Sequence, residues 1–589
     1  MEDLKSFYTS QQEKYQQELQ QVKKRLALLA TLRLSVFVGL VLGAYFFWGS
    51  TAIFVLLSLG IALFLYLVIR FSNVKRHKEY LQRLIAINTT ELDILARRFH
   101  HLPDGKEFLR PDHPYAQDLD LFGRGSFYQY ANRTTLRQGR EVFSDLLLDG
   151  YPKDIAKKQA AIQELAQLPE WRQRFSALAG ETQPKISPDV VSDWMKNHKS
   201  FTPKWAGIVA PIFALISILL IVLASLGLVP GSLVLFWYVL GIGIVGRFAK
   251  SIVMFAVQVS EAQETIQQHQ QLISELERQT FTSELLQELQ NKLVVEGEQT
   301  SKILKNFGRR LDNFEQQNNF LVLLFGQGLL LWSLFFAYRV ESWIAKYGKD
   351  VGEWFAAIAQ FDAYITSGTY AFNHTDHTYP SLVQGDAVLS AKEVGHPLVD
   401  PEKNVLNDFE IGKGRFCIVT GANMAGKSTF LRAVALQIVM ANMGLPVKGK
   451  EVQYNPVRLL TSMRSSDSLA DETSYFYAEL KRLKYIVEEL KKGDCFVVLD
   501  EILKGTNSVD KAEGSKKFIE RLVRNGSTGM VATHDLSLCT LADQLPEVEN
   551  RYFDAQIVNG ELFFDYKFKE GVCQNMNASF LLKNMGIVD

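Results

Sequence analysis

From Leu34 to Ile69, and again from Trp205 to Gly246, the chain carries no charged residue. One helix over the first run would be roughly 55 Å long, nearly twice the hydrocarbon core of a bilayer. It must fold back, and Gly49-Ser50-Thr51 supplies the turn. The pattern predicts a transmembrane hairpin of Leu34–Trp48 and Ala52–Ile69. Pro230-Gly231-Ser232 breaks the second run the same way, giving spans near Trp205–Leu228 and Leu233–Gly246. So few polar residues interrupt either run that a water-soluble core hairpin is the weaker alternative. A third apolar run covers Phe320–Tyr338. Gln327 in its middle is costly in lipid, so a buried core or dimer-contact helix is expected, with membrane insertion as the alternative.

Ahead of the first run, residues 1–33 are mostly polar, and no signal peptide is expected. Tyr15, Leu19, Val22 and Leu26 follow four-three-four spacing, the pattern of an amphipathic helix running into the first span. The hairpin flanks are basic: Lys23, Lys24, Arg25 and Arg33 before the first, Arg70, Lys75 and Arg76 after it, and Lys204, Arg247 and Lys250 around the second. The two turns carry no charge. The positive-inside rule then puts all flanks and both termini in the cytoplasm and both turns outside a multi-pass cytoplasmic (inner) membrane.

A chain of 589 residues is too long for one core, so at least three structural units are expected. Lys plus Arg and Asp plus Glu are 64 each, a balance with no global pull toward nucleic acid or acidic lipid. Cys417, Cys495, Cys539 and Cys573 form no C-x-x-C pair. A disulfide framework or zinc site is not expected, and a reducing cytosolic setting fits.

Chemistry is concentrated in the last third. The apolar strand Phe416–Val419 leads into Gly421, Ala422, Asn423, Met424, Ala425, Gly426, Lys427, Ser428 and Thr429, which open a helix. This is the G-x-x-x-x-G-K-S phosphate loop in its proper setting. Backbone N–H groups curl around phosphates, and the helix N-terminus adds positive potential. Lys427 is expected on the β- and γ-phosphates of ATP and Ser428 on Mg2+. Downstream, "DCFVVLDEI" is a strand ending in Asp500-Glu501. Asp500 is expected to hold the metal and Glu501 to orient or deprotonate the attacking water. A third strand ends at Thr533-His534, where His534 suits a γ-phosphate sensor. One more membrane crossing at Phe320–Tyr338 would put this loop on the far side from cellular ATP.

These motifs closely resemble those of the MutS family, the ATPases of DNA mismatch repair. "TGANMAGKSTFLRAVALQIVMANMGLPV" is similar to its phosphate-loop segment, with Ala422 where proline is usual and Ala425 where glycine is usual. "LDEILKGTNSVD" and "ATHD" resemble its acidic strand end and switch histidine, and "GHPLV" (Gly395–Val399) the start of its nucleotide domain. "SSDSLADETSYFYAEL" resembles its signature segment; by register with Glu479 the signature serine is Ser474, with Tyr475 where threonine is usual. Leu119–Ile155 looks like the start of the family's core helical domain. The resemblance implies a homodimer in which the signature residue acts on the partner's nucleotide. It covers roughly half to two-thirds of the chain.

The departures are as informative. There is no segment resembling the mismatch-reading domain, no Phe-x-Glu wedge in a suitable context and no nuclease module after the ATPase motifs. The expected class is multidomain, α and α/β: a P-loop ATPase domain of ABC/MutS type with a mostly parallel sheet, an all-α core, and transmembrane hairpins. The expected divisions are 1–33, 34–69, 70–204, 205–246, 247–385 and 386–589. The function expected is a membrane-anchored, ATP-hydrolysing dimeric switch in contact with lipid, with non-sequence-specific DNA as the family's ligand and mismatch repair as its process. The alternative is ATP-driven membrane transport or remodelling without DNA. Four spans without an intramembrane charge make a poor substrate path.

Overall fold

The computed structural model describes residues 2–46, 52–182, 184, 186–295, 297–464, 475–558 and 561–574. The expected turn Gly49–Thr51 and the signature residue Ser474 lie outside them. The described chain is a multidomain, α-rich assembly with α/β sheets at its C-terminal end.

Helices α1 (Glu2–Phe46) and α2 (Ala52–Leu95) form one long antiparallel hairpin. No proline or helix-stopping glycine separates the polar and apolar halves of either helix, so each runs straight from one into the other. Toward the tip both expose large apolar side chains, among them Leu34, Phe37, Val41, Phe54, Leu59 and Ile69. At the base the hairpin is anchored to the helical core, where the Tyr8 hydroxyl donates to Asn373 Oδ1 at 2.6 Å.

The core continues through α3 (Arg137–Leu148) and α4 (Ile155–Ala166). A second apolar hairpin follows, α5 (Ala206–Ser225) and α6 (Gly231–Gly246). Then come α7 (Ala249–Arg278), α8 (Thr300–Glu315), α9 (Trp332–Tyr347) and the almost wholly buried α10 (Val351–Asn373). Three described helices, α1, α2 and α5, are each long and apolar enough to cross a membrane. At 16 residues α6 reaches that measure only together with α7, from which it is bent by 64°.

The run Phe320–Tyr338 is not the single buried helix expected. Its first half, Val322–Leu330, is bent by 77° from α9, and the break falls at Leu331, whose φ is 49°. Phe320, Leu321, Leu323 and Phe325 are exposed, whereas α9 buries Ser333, Leu334 and Ala337. The uncharged run looked uniform in sequence, and a left-handed residue other than glycine leaves no signal there.

The C-terminal part holds two large sheets and a short antiparallel pair, Gln556–Val558 with Glu561–Phe563. β1 (Ser381–Leu382), β2 (Ala387–Val394), β3 (Asn407–Gly412) and β5 (Lys450–Tyr454) make a four-stranded sheet in the order β1-β5-β2-β3. β4 (Phe416–Gly421), β6 (Arg458–Ser462), β7 (Cys495–Asp500), β8 (Thr528–Ala532), β9 (Val548–Phe553) and β10 (Phe568–Glu570) make the other, in the order β10-β9-β4-β8-β7-β6. Its strands are parallel except β10, which pairs antiparallel to β9. The central strands are buried up to the half-buried Asp500 that ends β7, as the continuous apolar runs of a sheet covered on both faces require. Helices α11 (Lys427–Asn442), α12 (Tyr475–Leu490) and α13 (Ser508–Arg524) complete this unit.

A polar joint ties this sheet to the helical core. Asp118 is buried and accepts from Thr461 Oγ1 at 2.5 Å, from the Arg464 N–H at 2.8 Å and from the Met463 N–H at 3.1 Å. Beside it, Asp120 pairs with Arg464 at 2.6 Å and with Arg432 of α11 at 3.2 Å. The segment Leu119–Ile155 therefore abuts both the helix that leaves the glycine loop and the end of β6.

Candidate nucleotide site

The site forms where the parallel strands β4, β7 and β8 end side by side. The loop from Gly421 to Gly426 leaves β4 and opens α11. Gly421 and Gly426 have φ of 151° and 100°, backbone conformations that suit glycine. A Cβ on Gly421 would also lie 2.6 Å from the Phe553 carbonyl oxygen. Met424, at φ 66°, adopts a left-handed turn at the exposed tip of the loop. Below the loop, Phe430 packs at a tilt against Phe568 at 4.5 Å and edge-to-face against Phe553 at 5.6 Å, pinning α11 to the sheet edge. Burying an aromatic of this kind contributes about 1.5–3 kcal/mol.

Lys427 is buried. Its ammonium donates to the carbonyls of Gly421 at 2.7 Å and Ala422 at 2.9 Å, and to His534 Nε2 at 3.3 Å. A lysine can only donate, so Nε2 of His534 accepts and the ring is neutral there. Burial lowers the Lys427 pKa, against the opposing pull of Asp500, Cys573 and Glu501. Burial and then the Lys427 charge lower that of His534.

Asp500 ends β7, and Glu501 follows at φ 53° with its N–H held by the Ala532 carbonyl at 2.9 Å. This backbone bond locks the acidic pair to β8 and so to His534. Burial pulls the Glu501 carboxyl upward, but the bond from Lys511 and the charges of Lys511 and Lys504 outweigh it and leave it lowered. Lys511 of α13 sits 2.9 Å from Glu501 Oε1, and Lys504 3.9 Å from Oε2.

One cleft of about 890 Å³ takes in Ala422, Asn423, Met424, Ala425, Gly426, Lys427, Ser428, Thr429, Asp500, Glu501 and His534. Every site residue expected from the sequence lines it except Gly421, which ends β4 behind the loop, and Ser474, which lies outside the described residues. The other wall comes from the Gly395–Val399 segment, with Asn404 and Tyr566. Asn404 braces that wall by donating to the His396 carbonyl at 2.9 Å.

Sequence reasoning missed several residues here. Lys504 sits in the loop after the acidic pair and Lys511 in the first turn of α13, where lysines usually face solvent, so neither carries a local signal. Tyr566 lies too far along the chain for any local signal. Glu479 marked a register in the sequence, and in the structure it is a brace. It is buried on α12 and accepts from the N–H groups of Leu503 at 2.6 Å and Lys504 at 3.0 Å, fixing the loop after the acidic pair.

The donor set suits magnesium. Ser428 and Asp500 offer a hydroxyl and a carboxylate to one cleft, the hard oxygen ligands that this ion takes. Among the described residues no three His, Cys, Asp or Glu side chains converge as a metal cage. The ion would draw its remaining ligands from phosphate and water.

Residues 417–583 match the family model described as MutS domain V. The matches support MutS family membership. Over 224 residues the chain is 27% identical to MutS protein homolog 4 of Homo sapiens, covering 36% of this chain and 24% of that protein. Over 227 residues it is 30% identical to the DNA mismatch repair protein MutS of Thermotoga petrophila, covering 38% and 28%. Over 187 residues it is 33% identical to the DNA mismatch repair protein Msh2 of Dictyostelium discoideum, covering 30% and 20%. The chain thus spans about a quarter of the length of these MutS relatives. The domain V match takes in the whole phosphate loop, the acidic pair, His534 and Ser474.

Proposed function

We propose that the chain is a membrane-anchored, MutS-like ATPase that works as a homodimer on the cytoplasmic face of the inner membrane, both termini and the ATPase domain being cytoplasmic. The observation that carries this reading is the single cleft in which the glycine loop, Asp500, Glu501 and His534 meet. Lys427 pairs with phosphate charge in place of the carbonyls of Gly421 and Ala422. Glu501, ionised and steered by Lys511, orients a water and takes its proton as the terminal phosphoryl group is transferred. Neutral His534 is positioned to sense that phosphate. Ser428 and Asp500 would hold a magnesium ion, which when bound would supply positive charge against the developing negative charge. Ser474 of each copy completes the other copy's site.

The Asp118–Thr461–Arg464 joint gives nucleotide state a route into the helical core and its two hairpins. The hairpins take the place of DNA-reading parts. DNA, where it binds, is held through phosphates without sequence or mismatch preference. A second reading, membrane remodelling without DNA, gains from one observation. In the basic stretch Arg76–Leu84, Arg76 pairs with Glu181 at 3.3 Å and Arg83 donates to the Ala177 carbonyl at 2.7 Å, so both are already engaged.

The test has two parts: ATP turnover by the full chain in nanodiscs, and cysteine labelling in cells with a membrane-impermeant reagent. Turnover must need Lys427, and the reagent must reach Ser232→Cys but not Ser6→Cys. Turnover unchanged in Lys427→Ala, or external labelling at Ser6→Cys, would overturn the proposal.

A further inference from the structure

Phe320–Leu330 is apolar, yet it neither joins the core nor continues straight into α9. Phe320, Leu321, Leu323 and Phe325 present their side chains outward. The segment instead packs its other side on the second hairpin. Gly241 of α6 meets Gly328 so closely that a Cβ at Gly241 would collide with the Gly328 carbonyl, and one at Gly328 would collide with the Tyr238 ring. Small residues at such a crossing let helix backbones approach in lipid, where packing replaces the hydrophobic drive.

Several polar groups around the break have defined partners. The Tyr238 hydroxyl donates to the Leu324 carbonyl at 2.7 Å. The Ser217 hydroxyl donates to the Leu329 carbonyl at 2.6 Å and accepts from Trp237 Nε1 at 2.9 Å. Gln327 bridges the break itself, its amide donating to Ser333 Oγ at 2.6 Å and accepting from the Ser333 N–H at 3.3 Å. In water, exposed carbonyls at a helix break need no such partners. In hydrocarbon each unpaired group costs several kcal/mol, and broken helices persist only where neighbours satisfy them. Hydroxyls within an uncharged hairpin are thus spent on the backbone of this one segment.

Length and charge fix the path. Eleven residues rise about 16 Å, half of a ~30 Å hydrocarbon core. After the 77° bend the chain meets Arg339 and then Glu341, which is buried and hydrogen-bonded to His198 and Thr202 on the loop before α5. α9 therefore returns toward the polar side from which α8 came.

We propose that Phe320–Leu330 is a re-entrant limb. It is seated in the acyl-chain region against α5 and α6, and it enters and leaves on the face that carries the glycine loop. Its occupant surface is lipid, continuous with the exposed apolar face of the second hairpin. It also resolves a topological conflict, because the segment is in the membrane without adding a crossing. The inference rests on the hairpins being membrane anchors.

The experiment uses single cysteines at Leu323, Leu59 and Lys403 in the full chain, each labelled with bimane. The four native cysteines are buried. The protein is reconstituted in nanodiscs of phosphatidylcholine with plain or brominated acyl chains. Bromination should cut the fluorescence at Leu323→Cys as it does at Leu59→Cys, and leave Lys403→Cys unchanged. Quenching of Leu323→Cys by aqueous iodide instead, or by neither agent, would overturn the limb and assign the face to water or to a protein partner. An unquenched Leu59→Cys would show that the anchor reading itself had failed. In sealed vesicles an impermeant maleimide should reach Asn318→Cys and Lys349→Cys from the same side as Lys403→Cys. Labelling of those two from opposite sides would mean a full crossing and would also overturn the proposal.

Discussion

Glu501→Gln separates chemistry from everything else that the site does. The substitution keeps the side chain's shape and leaves an amide oxygen able to accept from Lys511. The Glu501–Lys511 pair is about a quarter to a third exposed on each side, so losing its charge should cost no more than about 1 kcal/mol of stability. Asp500, Ser428 and Lys427 are untouched, so nucleotide affinity should stay within a few-fold. What is lost is a carboxylate held ionised by Lys511 beside the loop. General-base contributions run to roughly 10²–10⁴-fold, or about 3–5 kcal/mol of barrier. Single-turnover hydrolysis in detergent or nanodiscs, paired with binding of a fluorescent ATP analogue, reads both quantities. Slowed turnover with near-normal binding is expected. Equal turnover in the two proteins would refute the role given to Glu501, and a collapse of binding would mean that the carboxylate is structural.

Lys427→Ala should instead weaken nucleotide binding, because phosphate charge goes unpaired; a titration in which its Kd matches wild type would contradict this. Asp362, buried where it accepts from the Thr135 and Leu136 N–H groups, has its pKa pushed up by burial to about 7. The folded state therefore holds that proton to higher pH than the unfolded chain. Stability should fall as pH rises from about 4 to about 7, and Asp362→Asn should flatten that slope in urea melts of the detergent-solubilised protein; an unchanged slope would refute the assignment. Mismatched duplex should bind no better than matched duplex, since reading a mismatch needs a wedge that unstacks a base step, and any binding should weaken steeply with salt. A tenfold preference for mismatch, about 1.4 kcal/mol, would restore lesion recognition.

Much of the site was legible in the sequence because its parts are local. A glycine loop between strand and helix, an acidic pair closing one strand and a histidine closing another each leave a short signature. Parallel-sheet order then brings those strand ends together. Lys511 was not legible, since a lysine in the first turn of a helix is usually solvent-facing, and only the left-handed turn at Glu501 brings the carboxylate to it. Tyr566 is carried to the cleft by the edge of the sheet, a contact of long sequence separation. In the helical part, uncharged length and turn residues marked both hairpins. They could not reveal the break at Leu331, which depends on hydroxyls from Ser217 and Tyr238 about a hundred positions earlier.

Whether an ATP-driven dimer works on the membrane is read best from turnover per chain at controlled copy number. The full chain is placed in nanodiscs holding one copy or two, with Glu501→Gln as the blank. Composite sites predict that single-copy discs bind ATP but hydrolyse little, whereas two-copy discs turn over and a Lys427→Ala partner lowers their rate by more than half. The same rate per chain in single-copy and two-copy discs would contradict the account.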